Sequence, residues 1–166
     1  FEFRLAHLPA DTREHRVLSQ LLAVWSAPVP AGRARGLALH ESFGTVVAQI
    51  AEVSINADQL SVHRVWCVVD CGTVVHRDTV IAQMQSGIVF GLSAALYGDA
   101  GYEAGRIKRQ NFSDYRLLTL AQMPVIDVQI IDSDAPPGGI GEPGVPPIAP
   151  AVANALARLT GKRQRR

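Results

Sequence analysis

The chain has 166 residues, 48% of them hydrophobic and 19% charged, an ordinary balance for one domain with a buried core. Its formal charge of +1 comes from 16 basic and 15 acidic residues, and Lys162, Arg163, Arg165 and Arg166 crowd four of the positives into the last five positions. Without that tail the body stands at −3, which argues against a nucleic-acid groove and leaves the tail as a solvated end.

No run of about 18 apolar residues and no charged-then-apolar leader is present, so no membrane span is expected. The opening "FEFRLAHLPADT" reads as mid-chain text, and the expectation is a piece of a longer protein. Residues 11–25 place Val17, Leu21, Leu22 and Val24 near helical spacing behind Thr12, which can cap, and ahead of the break "APVPAG". Residues 1–34 therefore read as a helical lead-in. Residues 36–55 have strand content, and "LSVHRVWCVVD" at 60–70 matches them across the turn "NADQ" as an antiparallel hairpin. Between Cys67 and Cys71 four residues on a strand would span roughly 13 Å, so the two could form a disulfide only across a turn. Both are expected to be buried thiols. Asp78 can cap a helix over 79–97, in which Ile81, Met84, Ile88, Leu92 and Ala95 recur at three- and four-residue steps. Strands are expected at 106–112 and 125–132, then a helix over 148–159 with Pro150 in its first turn and Gly161 as its stop. Strands and helices mix without strict alternation, which predicts an α+β fold.

The chemistry concentrates in "PPGGIGEPGVPP", residues 136–147. Gly138, Gly139, Gly141 and Gly144 permit positive φ or close backbone approach, and Pro143 biases Glu142 towards an extended conformation. A helix start a few residues on favours an anion nearby. Glu142 is thus either a carboxylate held on a preset loop or a surface glutamate in a Gly/Pro turn. A polyproline ligand is disfavoured by the four glycines. Elsewhere His40 and Glu41 suggest a local hydrogen bond, His63 a solvated strand face, and His76, Arg77 and Asp78 a helix entry. Asp114 and Tyr115 fit support of either a pocket or the fold. Asp127, Asp132 and Asp134 lack metal-ligand partners at useful spacing, and no CxxC, HExxH, P-loop or GxSxG motif occurs.

Four stretches in order, "RGLALHESFGTVVAQIAEVS", "VVDCGTVVHRDTVIAQMQSGIVFGLSAALYG", "NFSDYRLL" and "PPGGIGEPGVPPIAPAVANAL" followed by "TGKR", resemble successive blocks of one family. Together they look like the C-terminal part of the large molybdopterin-binding subunit of the xanthine dehydrogenase and aldehyde oxidase family, most similar to the bacterial isoquinoline 1-oxidoreductase beta-subunit, aldehyde dehydrogenase-like type. The resemblance covers nearly everything from Arg35 to Arg163. It implies that residues 35–166 are the C-terminal portion of an α+β cofactor-binding domain, with mixed or antiparallel strands and packed helices. It implies a molybdenum-molybdopterin cofactor in its cytosine dinucleotide form, with Gln83 against the pterin, Gly139 and Gly141 beside it, and no metal ligand on this chain. Glu142 becomes the general base that activates a water-derived oxygen for attack on an aldehyde or N-heteroaromatic carbon. Gln85 departs from the acidic residue common at its position. Implied partners are the remainder of the large subunit and a small [2Fe-2S] subunit, since two cysteines cannot hold a cluster that takes four ligands. The 166 residues alone are expected to be inactive. The alternative is a non-catalytic fragment or protein-binding module that keeps the fold.

Overall fold

A computed structural model describes residues 1–57 and 59–165. Three short helices, α1 (Glu2–Ala6), α2 (Arg13–Ser19) and α3 (Leu22–Ser26), lead into strands β1 (Arg33–Ser42), β2 (Thr45–Asn56) and β3 (Gln59–Asp70). The long helix α4 (Arg77–Tyr97) follows, then a hairpin of two-residue strands, β4 (Tyr102–Glu103) and β5 (Arg106–Ile107). Strand β6 (Val125–Ile130) and helix α5 (Ile148–Thr160) complete the fold. The main sheet has the order β1-β2-β3-β6; β1–β2 and β2–β3 are antiparallel and β3–β6 is parallel. The fold is α+β, with a mixed sheet and helices on both faces.

Local chemistry explains most boundaries. The Thr12 hydroxyl accepts from the His15 N–H at 3.2 Å, as its capping position predicts. The helical pattern of 11–25 is nevertheless split into α2 and α3, and α1 was not anticipated. The stretch 36–55 is two strands, not one. Ser42 pairs with Thr45, leaving Phe43 and Gly44 as a two-residue turn with φ of 55° and 73°, both in the left-handed region that such hairpins need. The β2–β3 hairpin matches the expected pairing; of its turn "NADQ", Asp58 lies outside the described residues, as does Arg166 of the basic tail. Helix α4 is capped by His76, whose Nδ1 accepts from the Thr79 N–H at 3.1 Å; Asp78 sits in the first turn instead, where the helix dipole favours a carboxylate. The expected strand at 106–112 shrinks to β5 and a single turn at Phe112–Asp114. Gly161, at φ 71°, ends α5 as predicted.

The sheet is covered on both faces, and β2 is accordingly buried without interruption from Thr45 to Val53. On one face Val47, Val65, Cys67 and Val69 meet Met84, Ile88 and Leu92 of α4 and Ile148, Ala151, Val152 and Ala155 of α5. On the other, Val46, Ala48, Ile50 and Val68 lie under Val17, Leu18 and Leu21. Helix α5 approaches β1 so closely that a Cβ on Gly36 would overlap the Ala151 carbonyl and the Ala155 nitrogen. By length and composition alone, α4 would pass as a membrane-crossing helix. Here its Val80, Met84, Ile88 and Leu92 are buried in the sheet's core instead. Cys67 and Cys71 are buried and free, as expected, and burial pushes the Cys67 thiol up to about 12, which makes it inert.

Candidate functional site

The Gly/Pro-rich loop between β6 and α5 lies over the ends of β1, β2 and β3, and backbone contacts hold it there. The Thr73 N–H donates to the Ala135 carbonyl at 2.9 Å, the Gly138 N–H to Cys71 O at 2.8 Å, and the Gly139 N–H to Phe43 O at 2.8 Å. The Thr45 hydroxyl donates to Gly139 O at 2.6 Å, and the Gln49 amide to Gly144 O at 2.9 Å. None of the four loop glycines adopts a positive φ, so that expectation is corrected. Three of them are needed for proximity: a Cβ on Gly138 would stand 2.5 Å from Thr45 Oγ1, one on Gly139 2.8 Å from Phe43 Cβ, and one on Gly144 3.1 Å from Met84 O.

Pro143 and Gly144 form the middle of a tight turn in which the Glu142 carbonyl accepts from the Val145 N–H at 2.8 Å. The fixed φ of Pro143 suits its place in that turn. Glu142 is exposed, on the outer side of the turn. Gln83, half-buried on α4, brings its Nε2 within 4.0 Å of where a Gly141 Cβ would be, and nothing else comes that close to Gly141. Among the described residues, the N–H groups of Ile140, Gly141 and Glu142 have no acceptor. Gln83 and Gly141 are therefore neighbours, with Glu142 next in the chain and unspent backbone donors on the loop. Gly139 belongs to the adjoining anchor, with its N–H committed to Phe43. Gly87 and Gly91, four and eight residues after Gln83, do not clear room for a ligand. They are buried under the loop, where a Cβ on Gly87 would meet Gly144 and one on Gly91 would meet Val145 and Ile148.

A charged clamp underlies this site and was not foreseen. Arg13 of α2 donates to Gly44 O at 2.9 Å, to Asp70 O at 2.7 Å and to the Asp70 carboxylate at 2.9 Å. The Gly72 N–H donates to that same carboxylate at 3.0 Å. Arg13 so ties together the β1–β2 turn and the end of β3, the two places that hold Gly138 and Gly139. Burial alone would raise the Asp70 carboxyl, but the hydrogen bonds from Arg13 and Gly72 outweigh it and hold it below the usual carboxylate range. A carboxyl lowered on folding stabilises the fold above its unfolded value, and that contribution is lost as the pH falls through the folded value. Asp70→Asn should therefore be less stable than wild type at pH 7, with the gap closing below about pH 4. Denaturation at pH 7 and pH 3 checks this; an equal gap at both would contradict it.

Other candidates fall away from the site. His40 and Glu41 are both exposed, and neither makes the expected local hydrogen bond among the described residues. His63 is not on a solvated face: half-buried, it pairs with the Ser54 hydroxyl at 2.7 Å, and burial lowers its pKa. Asp127 pairs with Arg64 and Asp132 with Arg77. Asp114 and Tyr115 sit near the Tyr97 end of α4, where Arg116 stacks on the Tyr97 ring at 4.1 Å, roughly 20 Å along the helix from Gln83. The sequence also hid the role of Gln49; its one signal was a polar residue within the apolar run "TVVAQIAEV".

Comparison with known proteins gives this geometry a context. A family model described as the molybdopterin cofactor-binding domain matches residues 24–124, a span that ends before the Glu142 loop. The isoquinoline 1-oxidoreductase subunit beta of Brevundimonas diminuta is 40% identical over 99% of the chain, and the chain spans 22% of that relative's length. The membrane-bound pyrroloquinoline-quinone aldehyde dehydrogenase of Gluconacetobacter polyoxogenes is 31% identical over 81% of the chain, which spans 17% of its length. Among solved structures, quinoline 2-oxidoreductase from Pseudomonas putida 86 shares the fold with a TM-score of 0.66, at 23% identity, over 70% of this chain and 16% of its own. With the model matching more than half of its residues and a relative aligned along nearly all of them, the chain belongs to the molybdopterin cofactor-binding domain family.

Proposed function

We propose that the chain is the C-terminal portion of the cofactor-binding domain of a molybdenum hydroxylase, and that it contributes Glu142 as general base and Gln83 as a contact to the pterin. The observation that carries this is the approach of the Gln83 amide, 4.0 Å from where a Cβ on Gly141 would be, to the residue next to Glu142, at the one loop glycine where nothing else among the described residues comes that near. The donors there fit a pterin: Gln83 offers both a donor and an acceptor, and the Gly141 and Glu142 N–H groups are unspent. When bound, the molybdenum cofactor, in its cytosine dinucleotide form, supplies the two-electron oxidation, with electrons leaving through [2Fe-2S] clusters on a small partner subunit.

The protein's own part is positional. The pins at Ala135, Gly138, Gly139 and Gly144 fix the loop, so the Glu142 carboxylate meets an incoming water-derived oxygen at a set place and removes its proton there. The substrate is an aldehyde or an N-heteroaromatic, both of which present an electron-poor carbon. The remainder of the large subunit encloses the rest of the cofactor.

Gln83→Ala in the complete subunit tests the cofactor contact. Losing one buried hydrogen bond costs about 1–3 kcal/mol, so pterin and molybdenum content after prolonged dialysis should fall. Relative rates on an aldehyde and an N-heteroaromatic should hardly change. Full retention of the pterin would remove Gln83 from the site.

A further inference from the structure

Gln49 stands at the centre of β2 with no solvent exposure, in a run where the neighbouring Val46, Val47, Ala48, Ile50 and Ala51 are apolar and equally buried. Its Nε2 donates to the Gly144 carbonyl at 2.9 Å and lies 4.0 Å from Cys67 Sγ. Among the described residues its Oε1 has no hydrogen-bond partner. An amide buried with its acceptor unsatisfied is unfavourable, and a strand that only had to fill the core would be better served by an apolar side chain. What Gln49 provides in return is one bond to the loop. Gly144 is the third residue of the turn that opens with Glu142, and it is wedged from the other side by α4: a Cβ on Gly144 would stand 3.1 Å from Met84 O, and one on Gly87 would stand 3.3 Å from Gly144 Cα. With the peptide held by the strand below and the helix beside it, the turn can point in only one direction.

We propose that Gln49 is a positioning residue for the Glu142 carboxylate, acting through the Gly144 carbonyl and the Glu142–Val145 turn. This rests on Glu142 being the base. The bond leaves the core an orphaned acceptor and gives the loop a fixed orientation, so Gln49 bears on turnover far more than on stability.

The test is Gln49→Met in the complete, cofactor-loaded enzyme, alone and combined with Glu142→Gln, with rates expressed per bound molybdenum. Met has nearly the same shape, keeps the core filled and removes both amide groups. Losing the orphaned Oε1 offsets the Gly144 carbonyl left without its donor, so thermal stability should change little, and molybdenum content should be unchanged. The kcat should fall by roughly 10- to 100-fold, as misplacing a reacting group does, with KM nearly constant. The double variant should be no slower than Glu142→Gln alone, because Gln49 acts through Glu142. Independently of activity, hydrogen exchange in the peptide spanning 138–147 should quicken with or without cofactor, while the rest of the sheet stays protected. Wild-type kcat in Gln49→Met alongside a collapsed Glu142→Gln would overturn the positioning role and leave the base in place. Normal turnover in Glu142→Gln would overturn both. Unchanged exchange in the loop, or an activity loss that only tracks lost molybdenum, would also overturn it.

Discussion

Glu142→Gln is expected to reduce turnover of the complete enzyme by roughly 10² to 10⁴-fold, the usual effect of removing a general base, while folding and cofactor loading stay intact. The loop gives the reason. Its anchors are backbone groups of Ala135, Gly138, Gly139 and Gly144, and the Glu142 side chain is exposed with no hydrogen bond to the described residues. The amide therefore replaces the carboxylate without disturbing anything that holds the loop. A glutamate with a purely structural role predicts the opposite pattern, with a shifted unfolding temperature and near-normal rates. Single-turnover reduction by an aldehyde and, separately, by an N-heteroaromatic distinguishes the two. A variant keeping more than about a tenth of the wild-type rate with its better substrate falls short of the smallest usual effect of losing a base, and the assignment would fail.

The largest expected change in stability comes from Arg35. It is 7% exposed and lies against Glu52, itself 4% exposed, with Nε donating to Glu52 Oε2 at 3.0 Å. Its remaining N–H groups donate to the carbonyls of Val24, Ala27 and Pro28 at 2.6, 3.0 and 3.4 Å. Arg35→Met keeps the bulk but strands a buried carboxylate and leaves three carbonyls without their donor. Breaking a buried pair from one side costs about 3–5 kcal/mol. Arg33, still bonded to Glu52 at 2.9 Å, moves the expectation to the lower end of that range. Replacing Glu52 by Leu as well should recover part of the loss, because no unpaired charge then remains. Chemical denaturation decides it, and a loss under about 1 kcal/mol would place Arg35 with ordinary surface pairs.

What could be read ahead of the structure was what neighbouring residues decide among themselves. Pro150 and Gly161 delimit α5, the run 60–70 pairs with its predecessor, and the strand expected at 125–132 is β6. The Phe43–Gly44 turn escaped because a phenylalanine at positive φ is uncommon and "ESFGTVV" has no strong turn residue besides its glycine. The break between α2 and α3 is set by the burial of Leu18 and Leu21 against the sheet, which no local pattern displays. The loop drew notice through its glycines and prolines, and Glu142 was found because it is the single carboxylate among them. The glycines' actual reason, close passage over a turn whose residues lie more than ninety positions earlier, is tertiary. Gln49 and the Arg13–Asp70 clamp are tertiary for the same cause: each looks ordinary until its partner's position is known.

The bonds that fasten the loop also set when it can form. Thr45 and Gln49 reach Gly139 and Gly144 across separations of 94 and 95 residues. Contacts that distant are made only after the intervening chain is organised, because closing a long loop costs entropy that nothing local repays. During synthesis β1, β2 and β3 leave the ribosome well before residues 136–147, so the sheet can assemble while the Glu142 segment is still unmade. That segment, with its backbone near the surface, is also the natural place for the native protein to open first.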